Sequence, residues 1–370
     1  MRIGIDGSRA FLKQRTGIEE YSYQVIKNLR NELGNHEVFL YTRRNQIVDF
    51  SVPENWQIRK IGWLRFWTQI GLSWEMFRRP VDVLFVPAHT VPLIHPKKTV
   101  VTIHGLEYEM MPKAYSWWER FYMRASIRNS CRWAEKVISV SENTKKDLMR
   151  LYQVPEEKIQ VIYEGYDLEK SKIQISNFKS HAYRQAGNLN DQITKPYLLF
   201  IGRLEERKNI VGIIKAFEIL KEHYGIGHKL ILAGKFGYGA DDIRAELGKI
   251  NSFRDILLPG FVSDEEKWEL LRGAEVFLFP TFYEGFGIPI LEAQSVGVPV
   301  VASDNSSSSE IAARSAILVD PQNAEQIADA AYGLISDKTK RDDIIERGYE
   351  NVARFSWEKC THEIAGILTK

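Results

Sequence analysis

The chain has 370 residues, of which 44% are hydrophobic and 26% are charged, and its formal net charge is +2 at pH 7. This length exceeds what one hydrophobic core usually organises, and the composition is that of a globular protein, so we expect two domains and exclude a low-complexity chain. Because the net charge is so small, it does not favour a polyanionic partner, and no nucleic-acid ligand is predicted.

The cysteines and the first residues bear on the compartment. Cys131 and Cys360 are too few for a disulfide framework, lack the spacing of metal ligands, and are expected to be buried or idle thiols. The run from Met1 to Asp6 is typical of a strand rather than a signal peptide, and no apolar segment is long enough to cross a bilayer. We therefore predict a cytoplasmic protein.

Short β-branched runs alternate with longer helical patterns, which is typical of parallel sheets covered by helices. The predicted strands of the first half are Arg2 to Asp6, Glu37 to Thr42, Ile58 to Ile61, Val81 to Val86, Thr99 to His104, Lys136 to Val140 and Gln160 to Tyr163. Those of the second half are Tyr197 to Ile201, Lys229 to Ala233, Ile256 to Leu258, Val276 to Phe279, Pro299 to Ala302 and Ala316 to Val319. The repeated rhythm predicts two doubly wound, Rossmann-like α/β domains.

The domain boundaries follow from composition. The segment from Leu168 to Lys195 is rich in Ser, Asn, Gln and Lys, which is typical of an exposed linker. We predict an N-terminal domain over 1–170, a linker over 171–194 and a C-terminal domain over 195–355. Ligands of open parallel sheets bind at the carboxyl ends of the strands, so we expect the two sheets to face each other across a shared cleft.

Two residues of the first half stand at such strand ends. Gly17 lies in the turn before the first predicted helix, where a missing side chain would let a phosphate approach, although it can equally be an ordinary turn glycine. His104 ends an apolar strand, and its imidazole can either donate to a substrate or be capped by a neighbouring carbonyl. The residues alone leave both alternatives open.

Two aromatic and basic segments raise the question of a membrane surface. For the first, a helix packed under the strand at Val81 explains the pattern better than a membrane contact does. Its apolar residues, with Arg65, Arg78 and Arg79 nearby, are Trp63, Phe66, Trp67, Ile70, Trp74 and Phe77. The second runs from Tyr115 to Arg124 and follows the strand that ends at His104, where an acceptor would dock. It is a weak indication of membrane contact.

In the second half, the strand from Tyr197 to Ile201 breaks at Gly202 into a basic turn. Arg203 offers a planar fork to phosphate oxygens and Lys208 a mobile charge, so with helix-end amides they could neutralise a diphosphate leaving group. An equally good alternative is a solvated loop, in which Lys208 and its neighbour Arg207 pair with the two preceding glutamates.

Glu284 and Glu292 frame a glycine-hinged entry into a helix. The turn is predicted over Gly285 to Gly287, and Pro289 suits the first helical turn. Amides at a helix start can hold a phosphate or a sugar hydroxyl, and carboxylates are acceptor-only partners for polyol hydroxyls. The ordinary alternative is a solvated Glu292 and a Glu284 that is merely favoured by the helix dipole.

Two cofactor sites are not supported by the sequence. The run from Gly234 to Gly239 follows a strand, but its glycine spacing is wrong for a dinucleotide fingerprint, so NAD is disfavoured. No Asp-x-Asp pair occurs in the chain, so a divalent-metal clamp of that type has no obvious ligands. We therefore predict neither a cofactor nor a metal.

Taken together, these motifs resemble the retaining nucleotide-sugar glycosyltransferases of family 4, which have the GT-B fold. The matching residues, in order, are Gly202-Arg203 with Lys208-Asn209, Glu284 to Gly287 with Glu292, and Gly297 to Ser303. The resemblance extends from the Gly17 turn to the run Phe355 to Glu358, which begins the final helix, about 356–370, that in the family crosses back to the first domain. One departure is the run Ser306 to Ser309, which replaces the family's usual Leu-Pro before a glutamate and leaves the stiffness of that loop open.

The resemblance implies roles for these residues. Arg203 and Lys208 would hold the donor diphosphate, Glu292 the ribose and Glu284 the transferred sugar, while Val262 and its neighbours would line the base. The implied donor site consists of Gly17, Gly202, Arg203, Lys208, Val262, Glu284, Gly285, Phe286, Gly287, Ile288 and Glu292, and the implied catalytic residues are His104, Arg203, Lys208 and Glu284.

The implied reaction is the retaining transfer of a hexosyl unit from a UDP-, GDP- or ADP-linked donor to a hydroxyl of a carbohydrate or lipid-linked acceptor. We expect front-face attack, with the departing phosphate taking the acceptor proton, and peripheral contact with the inner face of the membrane is a further expectation. Two alternatives stay open: a nucleotide-sugar epimerase on the same scaffold, and a non-catalytic sugar-nucleotide or glycan-binding protein.

Overall fold

The computed structural model of the protein describes residues 1–13, 15, 17–63, 65–167 and 196–370. These residues form two compact units. The first unit comprises Met1–Gly165 and Phe355–Lys370, and the second comprises Tyr166–Arg354. The predicted linker over 171–194 lies outside the described residues.

The first unit is built on a seven-stranded sheet in which every neighbouring pair of strands is parallel. Its strands are β1 (Arg2–Asp6), β2 (Glu37–Arg43), β3 (Trp56–Ile61), β4 (Val83–Val86), β5 (Lys98–Ile103), β6 (Lys136–Ser139) and β7 (Ile159–Val161), in the order β3-β2-β1-β4-β5-β6-β7. The order reverses beside β1, so the carboxyl ends of β1 and β4 flank the point where ligands of such sheets bind.

Helices connect these strands. They are α1 (Gly17–Glu32), α2 (Ser73–Arg78), α3 (Glu107–Met110), α4 (Trp117–Trp133) and α5 (Glu142–Tyr152), with a π-helix at Trp67–Leu72 and short 3-10 helices at Pro112–Ala114 and Glu156–Lys158. The start of α4 is fixed by a capping box, in which Ser116 and Glu119 each accept a hydrogen bond from the other's backbone N–H. The strands β1, β2, β4, β5 and β6 are almost entirely buried, because parallel sheets are covered on both faces, whereas the edge strands β3 and β7 are partly exposed.

The second unit has a six-stranded, all-parallel sheet in the order β10-β9-β8-β11-β12-β13. Its strands are β8 (Tyr197–Ile201), β9 (Lys229–Ala233), β10 (Ile256–Gly260), β11 (Val276–Phe279), β12 (Val300–Ser303) and β13 (Ile317–Val319). Its helices are α6 (Ile210–Glu222), α7 (Ala240–Leu247), α8 (Asp264–Gly273), α9 (Ile288–Ser295), α10 (Ser306–Ala312), α11 (Ala324–Ser336) and α12 (Lys338–Val352), with 3-10 helices at Glu206–Lys208 and Asn251–Asp255. Here the order reverses beside β8, between β9 and β11.

The last helix, α13 (Trp357–Thr369), belongs to the first unit, where it packs against α1. The chain enters this region through a close approach of two backbones. A Cβ atom at Gly165 would lie 2.4 Å from the backbone nitrogen of Trp357, so only a glycine fits there. The Trp357 ring in turn lies 6.0 Å from the ring of Tyr21 on α1.

All the predicted strands are present, and their ends agree to within two residues. The predicted α/β class with two Rossmann-like units is therefore confirmed. The predicted and observed bounds differ most where the residues that pair with the neighbouring strand do not coincide with the apolar run. For example, β3 begins at Trp56 rather than Ile58 because Trp56 and Gln57 already pair with Val38 and Phe39.

The packing interpretation of the first aromatic stripe is wrong for most of its residues. Of the six side chains of this stripe, only Trp67 is buried. The buried contacts of this segment are made instead by Leu72 and Met76, so the aromatic side chains point away from the core. The exposed members are Trp63, Phe66, Ile70, Trp74 and Phe77.

Candidate functional site

The turn between β11 and α9 has the form that the glycines and the proline predict. Gly287 precedes the helix with φ of 123°, a backbone conformation that strongly favours glycine, and Pro289 occupies the first turn. The carbonyl of Gly287 accepts a hydrogen bond from Ile290 N–H at 3.0 Å, which closes the first turn. The helix therefore points its amino end, and the positive end of its dipole, toward the carboxyl edge of the sheet.

Glu284, just before this turn, is the centre of a buried ion cluster. Its carboxylate lies 2.5 Å from Lys208 Nζ and 3.0 Å from Arg207 Nη1. Glu284 and Lys208 are only 8% and 9% exposed. Arg207 also lies 3.1 Å from Glu205 and donates to the Tyr283 carbonyl at 2.8 Å. Arg207, Lys208, Glu205 and Glu284 thus hold two positive and two negative charges.

The protonation of this cluster follows from burial and from the neighbouring charges. Burial alone would raise the pKa of Glu284, but Lys208 and Arg207 outweigh it and hold the pKa below its usual value. Burial lowers the pKa of Lys208, and the attraction of Glu284 opposes that shift only in part. Because an ammonium group has three donors and Glu284 takes one of them, Lys208 can serve a ligand without leaving the carboxylate.

Arg203 has a different environment. It follows Gly202 at the end of β8, is exposed, and forms no salt bridge with a carboxylate of the described residues. The loop that carries it is held in place by its backbone, because Leu204 N–H donates to the Lys235 carbonyl at 2.9 Å and Gly237 N–H donates to the Leu204 carbonyl at 2.8 Å. Pairing with this loop gives the glycine-rich run after β9 a structural role.

Asn209 is part of the motif that carries the family resemblance, but the sequence analysis assigned it no role. Its backbone is left-handed, with φ of 56°, and its Oδ1 accepts from Gly212 N–H at 3.2 Å, which caps α6. Its Nδ2 donates to the carbonyls of Pro280 and Pro321 at 2.9 and 2.6 Å. One buried amide therefore ties the loop of Lys208 to the ends of β11 and β13. An asparagine directly before a helical pattern was the available signal.

Glu292 does not contact the Glu284 cluster directly. It lies on α9 and forms a 2.8 Å ion pair with Lys267 on α8, a partner that the sequence analysis missed. Burial would lower the pKa of Lys267, but Glu292 outweighs it and raises the pKa above its usual value. Val262 is half-buried in the short connection between β10 and α8, beside the exposed Phe261.

The serines that replace the family's Leu-Pro contact the Glu284 turn directly. Ser307 Oγ lies 2.8 Å from the Glu284 carbonyl and 2.7 Å from the Phe286 carbonyl, and it donates to these oxygens. Glu284 N–H donates to Ser306 Oγ at 3.3 Å. The serine run predicted as a loop is instead the first turn of α10, and side-chain hydrogen bonds join it to the predicted site.

The two predicted site residues of the first unit stand at the same edge of its sheet. Gly17 begins α1, and a side chain built there would meet nothing within 4 Å. His104 follows β5 and is buried, with Nδ1 3.1 Å from Glu164 Oε1 and Nε2 2.9 Å from the Pro87 carbonyl. Both ring nitrogens of His104 therefore have partners within the first unit. Glu164 was missed because it lies 60 residues away along the chain.

The structure therefore brings Lys208 and Glu284 into contact, joins the turn from Gly285 to Ile288 to them, and keeps Arg203 exposed at the neighbouring strand end. The described residues include no cluster of three or more His, Cys, Asp or Glu side chains that could hold a metal ion. A cavity of about 710 Å³ lies elsewhere in the second unit, between α6 and the loop from Asp320 to Glu325, and none of the predicted site residues lines it.

Within the described ranges, every helix is too short or too polar to cross a bilayer.

Comparisons with known proteins identify the family of the chain. Residues 184–351 match the family Glycosyl transferases group 1, and residues 15–170 match Glycosyltransferase Family 4. O-antigen chain mannosyltransferase B of Escherichia coli is 31% identical over 266 residues, which is 72% of this chain and 68% of that protein.

Solved structures are similar over almost the whole chain. Sucrose-phosphate synthase of Thermosynechococcus elongatus superimposes with a TM-score of 0.72 at 17% identity, covering 99% of this chain and 98% of that one. The HepE protein of Anabaena in complex with UDP-glucose gives a TM-score of 0.70 at 16% identity, covering 100% of this chain and 99% of the other.

The family models and the fold together define a glycosyltransferase with the GT-B fold. The chain belongs to glycosyltransferase family 4, and it is a hexosyltransferase that takes its sugar from a nucleotide sugar.

Proposed function

We propose that this enzyme transfers a hexosyl unit with retention of configuration, and without a divalent metal, to a hydroxyl of a carbohydrate or lipid-linked acceptor. The observation that carries the proposal is the buried contact of Glu284 with Lys208 and Arg207 beside the amino end of α9. Such a cluster offers carboxylate acceptors to sugar hydroxyls and ammonium donors to a diphosphate within one site.

The donor would bind at the carboxyl edge of the second sheet. Lys208 and the exposed Arg203 would neutralise the diphosphate, together with the amides at the start of α9. Glu284 would hold the hydroxyls of the transferred sugar, and Glu292 those of the ribose. Ion pairing with Lys267 fixes the Glu292 carboxylate before the ligand arrives, which lowers the entropy cost of binding.

In the proposed reaction, the bond between the anomeric carbon and the diphosphate oxygen breaks while the acceptor oxygen bonds to the same face of that carbon. The acceptor proton passes to the departing phosphate oxygen, so atoms and charge balance. Negative charge grows on the leaving diphosphate, and cations placed beforehand stabilise it most at that moment. Arg203, Lys208 and the helix start would thereby take the part of a metal ion.

The donor can be identified without knowing the acceptor. A thermal-shift screen of UDP-, GDP- and ADP-linked hexoses should give one clear rise in melting temperature, because a ligand that binds only the folded state stabilises it. GDP-mannose is included first because the similar protein of E. coli is named a mannosyltransferase. No shift with any nucleotide sugar would contradict the proposal.

Turnover with that donor separates the remaining alternatives. Proton NMR of the product made with a methyl hexoside should show the same anomeric configuration as the donor, and excess EDTA should leave the rate unchanged. An inverted product, or loss of rate that magnesium restores, would refute retention or metal independence respectively. Release of an altered free sugar would indicate an epimerase, and binding without turnover would indicate a non-catalytic protein.

We further propose that the first unit contacts the surface of an anionic membrane, which would bring the enzyme to a lipid-linked acceptor on the cytoplasmic side. Two exposed aromatic segments support this. The first is the stripe already described on the π-helix and α2, and the second is at the start of α4, where Trp117 and Trp118 are 69% and 62% exposed. The exposed Arg65 and Arg78 beside the first segment are complementary to anionic headgroups.

The π-helix, α2 and α4, which carry the two aromatic segments, all hydrogen-bond to the connection between β4 and β5. Gln69 donates to the Val91 carbonyl at 3.2 Å, and Ser73 accepts from Ile94 N–H at 3.2 Å. From α4, Ser130 accepts from Val91 N–H at 2.9 Å.

Co-sedimentation with phosphatidylglycerol vesicles tests the membrane contact. The double variant Trp74→Ser with Phe77→Ser should lose most of the bound fraction, and high salt should weaken binding of the parent protein. The matched control is Phe253→Ser, which removes a half-exposed ring from the second unit and should bind as the parent does. Equal binding of all three proteins would contradict the proposed surface.

A further inference from the structure

Arg207 holds three consecutive residues just before the glycine turn. Its backbone carbonyl accepts a hydrogen bond from Phe282 N–H at 2.9 Å, and its Nη1 donates to the Tyr283 carbonyl at 2.8 Å. The same Nη1 lies 3.0 Å from Oε2 of Glu284. One residue of the loop after β8 therefore fixes the chain segment that leads from β11 to the Glu284 carboxylate.

A second carboxylate fixes the guanidinium itself. Nε and Nη2 of Arg207 lie 3.3 and 3.1 Å from Oε1 of Glu205, which is on the same loop. The Arg207 side chain is 19% exposed, and its three nitrogens all have partners within the second unit. Because a guanidinium is planar and its N–H groups point in fixed directions, contacts with two carboxylates and a carbonyl restrict it to one orientation. Arg207 thus differs from Arg203, which is exposed.

The two oxygens of Glu284 are held by different cations. Lys208 Nζ lies 2.5 Å from Oε1, and Arg207 Nη1 lies 3.0 Å from Oε2. Two cations restrict the rotation of the carboxylate and also favour its ionised form, which burial alone would disfavour. Because each carboxylate oxygen can accept two hydrogen bonds, both oxygens keep a lone pair for a sugar hydroxyl.

We propose that Arg207 is a positioning residue that orients the Glu284 carboxylate and balances its charge while that carboxylate binds hydroxyls of the transferred sugar. Arg207 itself would not contact the diphosphate, because its guanidinium is already occupied within the second unit. The inference rests on the proposed function, since it assigns a role to the residue that supports Glu284 in that reaction. The cations of this sheet edge would then divide by role, with Arg203 and Lys208 on the donor phosphates and Arg207 on the carboxylate.

Two substitutions separate orientation from charge. Arg207→Gln removes the charge, and Arg207→Lys keeps the charge on a side chain without the planar fork. The value of kcat/KM for transfer should fall about ten- to hundredfold in Arg207→Gln and about three- to tenfold in Arg207→Lys, because a misplaced binding group costs rate. Parent-like transfer by both variants would overturn the inference.

The pH profile of transfer distinguishes positioning from a purely structural role. Lys208 and Arg207 face the Glu284 oxygens, Glu205 faces the other side of Arg207, and the serines at the start of α10 are uncharged. Both cations lower the pKa of Glu284. Loss of one of them should therefore shift the acidic limb of kcat/KM in Arg207→Gln to higher pH by about one unit, whereas Arg207→Lys should keep the limb of the parent protein. An unshifted limb in Arg207→Gln would contradict the inference.

The matched control is Arg341→Gln. The Arg341 side chain is 25% exposed, lies 3.1 Å from Glu275 Oε1 and donates to the Leu334 carbonyl at 3.3 Å, so its loss removes the same kinds of contact elsewhere in the second unit. This variant should lose melting temperature much as Arg207→Gln does, while its kcat/KM and its acidic limb stay those of the parent protein. Equal kinetics in the two variants would reduce Arg207 to a structural residue.

A double-mutant cycle tests whether Arg207 acts through Glu284. In a Glu284→Gln background, where no buried carboxylate is left without its partner, Arg207→Gln should change the remaining transfer by less than about twofold, because residues that act as a unit are not additive. The same fold-loss in both backgrounds would mean that Arg207 acts on the donor directly and would overturn the inference.

A binding measurement separates this inference from the proposed function. The probes for calorimetry are the nucleotide sugar found in the thermal-shift screen and its free nucleoside diphosphate. Arg207→Gln should weaken binding of the nucleotide sugar about five- to tenfold and that of the diphosphate less than about twofold. Equal weakening of both ligands would place Arg207 on the diphosphate and overturn the inference. An inverted product or a magnesium requirement of the parent protein would instead count against the proposed function alone.

Discussion

The carboxyl edges of the two sheets have the same strand topology, but their charged side chains are arranged differently. In the second unit the edge holds ion pairs, with Lys208 and Arg207 on Glu284 and Lys267 on Glu292. In the first unit the corresponding edge holds His104 and His89 among aromatic rings, with the buried carboxylates of Asp6 and Glu164. The same scaffold therefore carries buried ion pairs at one sheet edge and histidine rings beside carboxylates at the other.

The difference also shows how each edge remains stable without its ligand. Buried charges in the second unit compensate each other, so removal of one partner leaves the other desolvated and alone. In the first unit, by contrast, the ring of His89 is neutral near pH 7 because its pKa is lowered. Substitutions in the two edges should consequently have different effects on stability and on transfer.

The largest effect is expected for Lys208→Met. Transfer should fall about 10² to 10³-fold because a cation is lost where leaving-group charge develops. The free energy of unfolding should fall by about 3 kcal/mol, since Glu284 loses its closest buried partner. The double variant with Glu284→Gln should recover stability but not transfer, as measured by urea unfolding and by kcat/KM. Lys221→Met, which breaks a half-buried pair with Asp255, should leave transfer unchanged.

Arg203→Ala should separate the contribution of charge to ligand binding from its contribution to the stability of the second unit. Because Arg203 is exposed and outside every described salt bridge, its loss should leave the free energy of unfolding within about 0.5 kcal/mol. Transfer should still fall about 10²-fold if its guanidinium binds the diphosphate. The matched variant Arg254→Ala removes an exposed arginine of the same unit and should be fully active. Wild-type turnover in Arg203→Ala would remove this residue from the donor site.

The neutral ring of the first unit predicts a pH dependence of stability. His89 has its pKa lowered from 6.5 to about 3 in the folded protein, so between these values only the unfolded chain binds the proton. Its contribution is complete above pH 6.5 and is lost as the pH falls toward 3. Between pH 7 and pH 5 the parent protein should lose about 1 to 2 kcal/mol more stability than His89→Gly. Parallel stability curves for the two proteins would contradict a neutral buried ring.

The smallest effect is expected for Ser307→Ala. The change removes the hydroxyl that donates to the carbonyls of Glu284 and Phe286, so stability should fall by about 1 kcal/mol and transfer several-fold. Ser336→Ala deletes a hydroxyl that bonds to its own helix at the surface and serves as control. If the two variants have equal stability in calorimetry and equal transfer rates, the serines at the start of α10 do not support the Glu284 turn.

The sequence predicted the strands and the Gly287 turn well because their signals are local. Buried strands are continuous apolar runs, and a glycine followed by Pro289 marks a helix entry within a few residues. Family resemblance, rather than periodicity, supplied the roles of Arg203 and Glu292.

The missed partners share a physical cause. Arg207 reaches Glu284 across 77 positions of the chain, and Glu164 reaches His104 across 60, which no local pattern encodes. The prediction that the aromatic stripe around Trp74 packs under a strand was wrong for a related reason. Helical spacing of aromatic residues indicates one apolar face, but it does not tell whether that face meets a protein core or stays exposed.

Gly165 shows how a residue without a side chain can govern a distant imidazole. Trp357 approaches the backbone there, its indole meets Tyr21, and the Tyr21 ring lies 4.5 Å from His104, while the adjacent Glu164 grips the same histidine. A methyl group at position 165 would push Trp357 away from the backbone. That shift would move the ring of Tyr21 and, through it, the ring of His104. The segment through which the chain returns to its first unit is therefore in direct packing contact with the residues that hold His104.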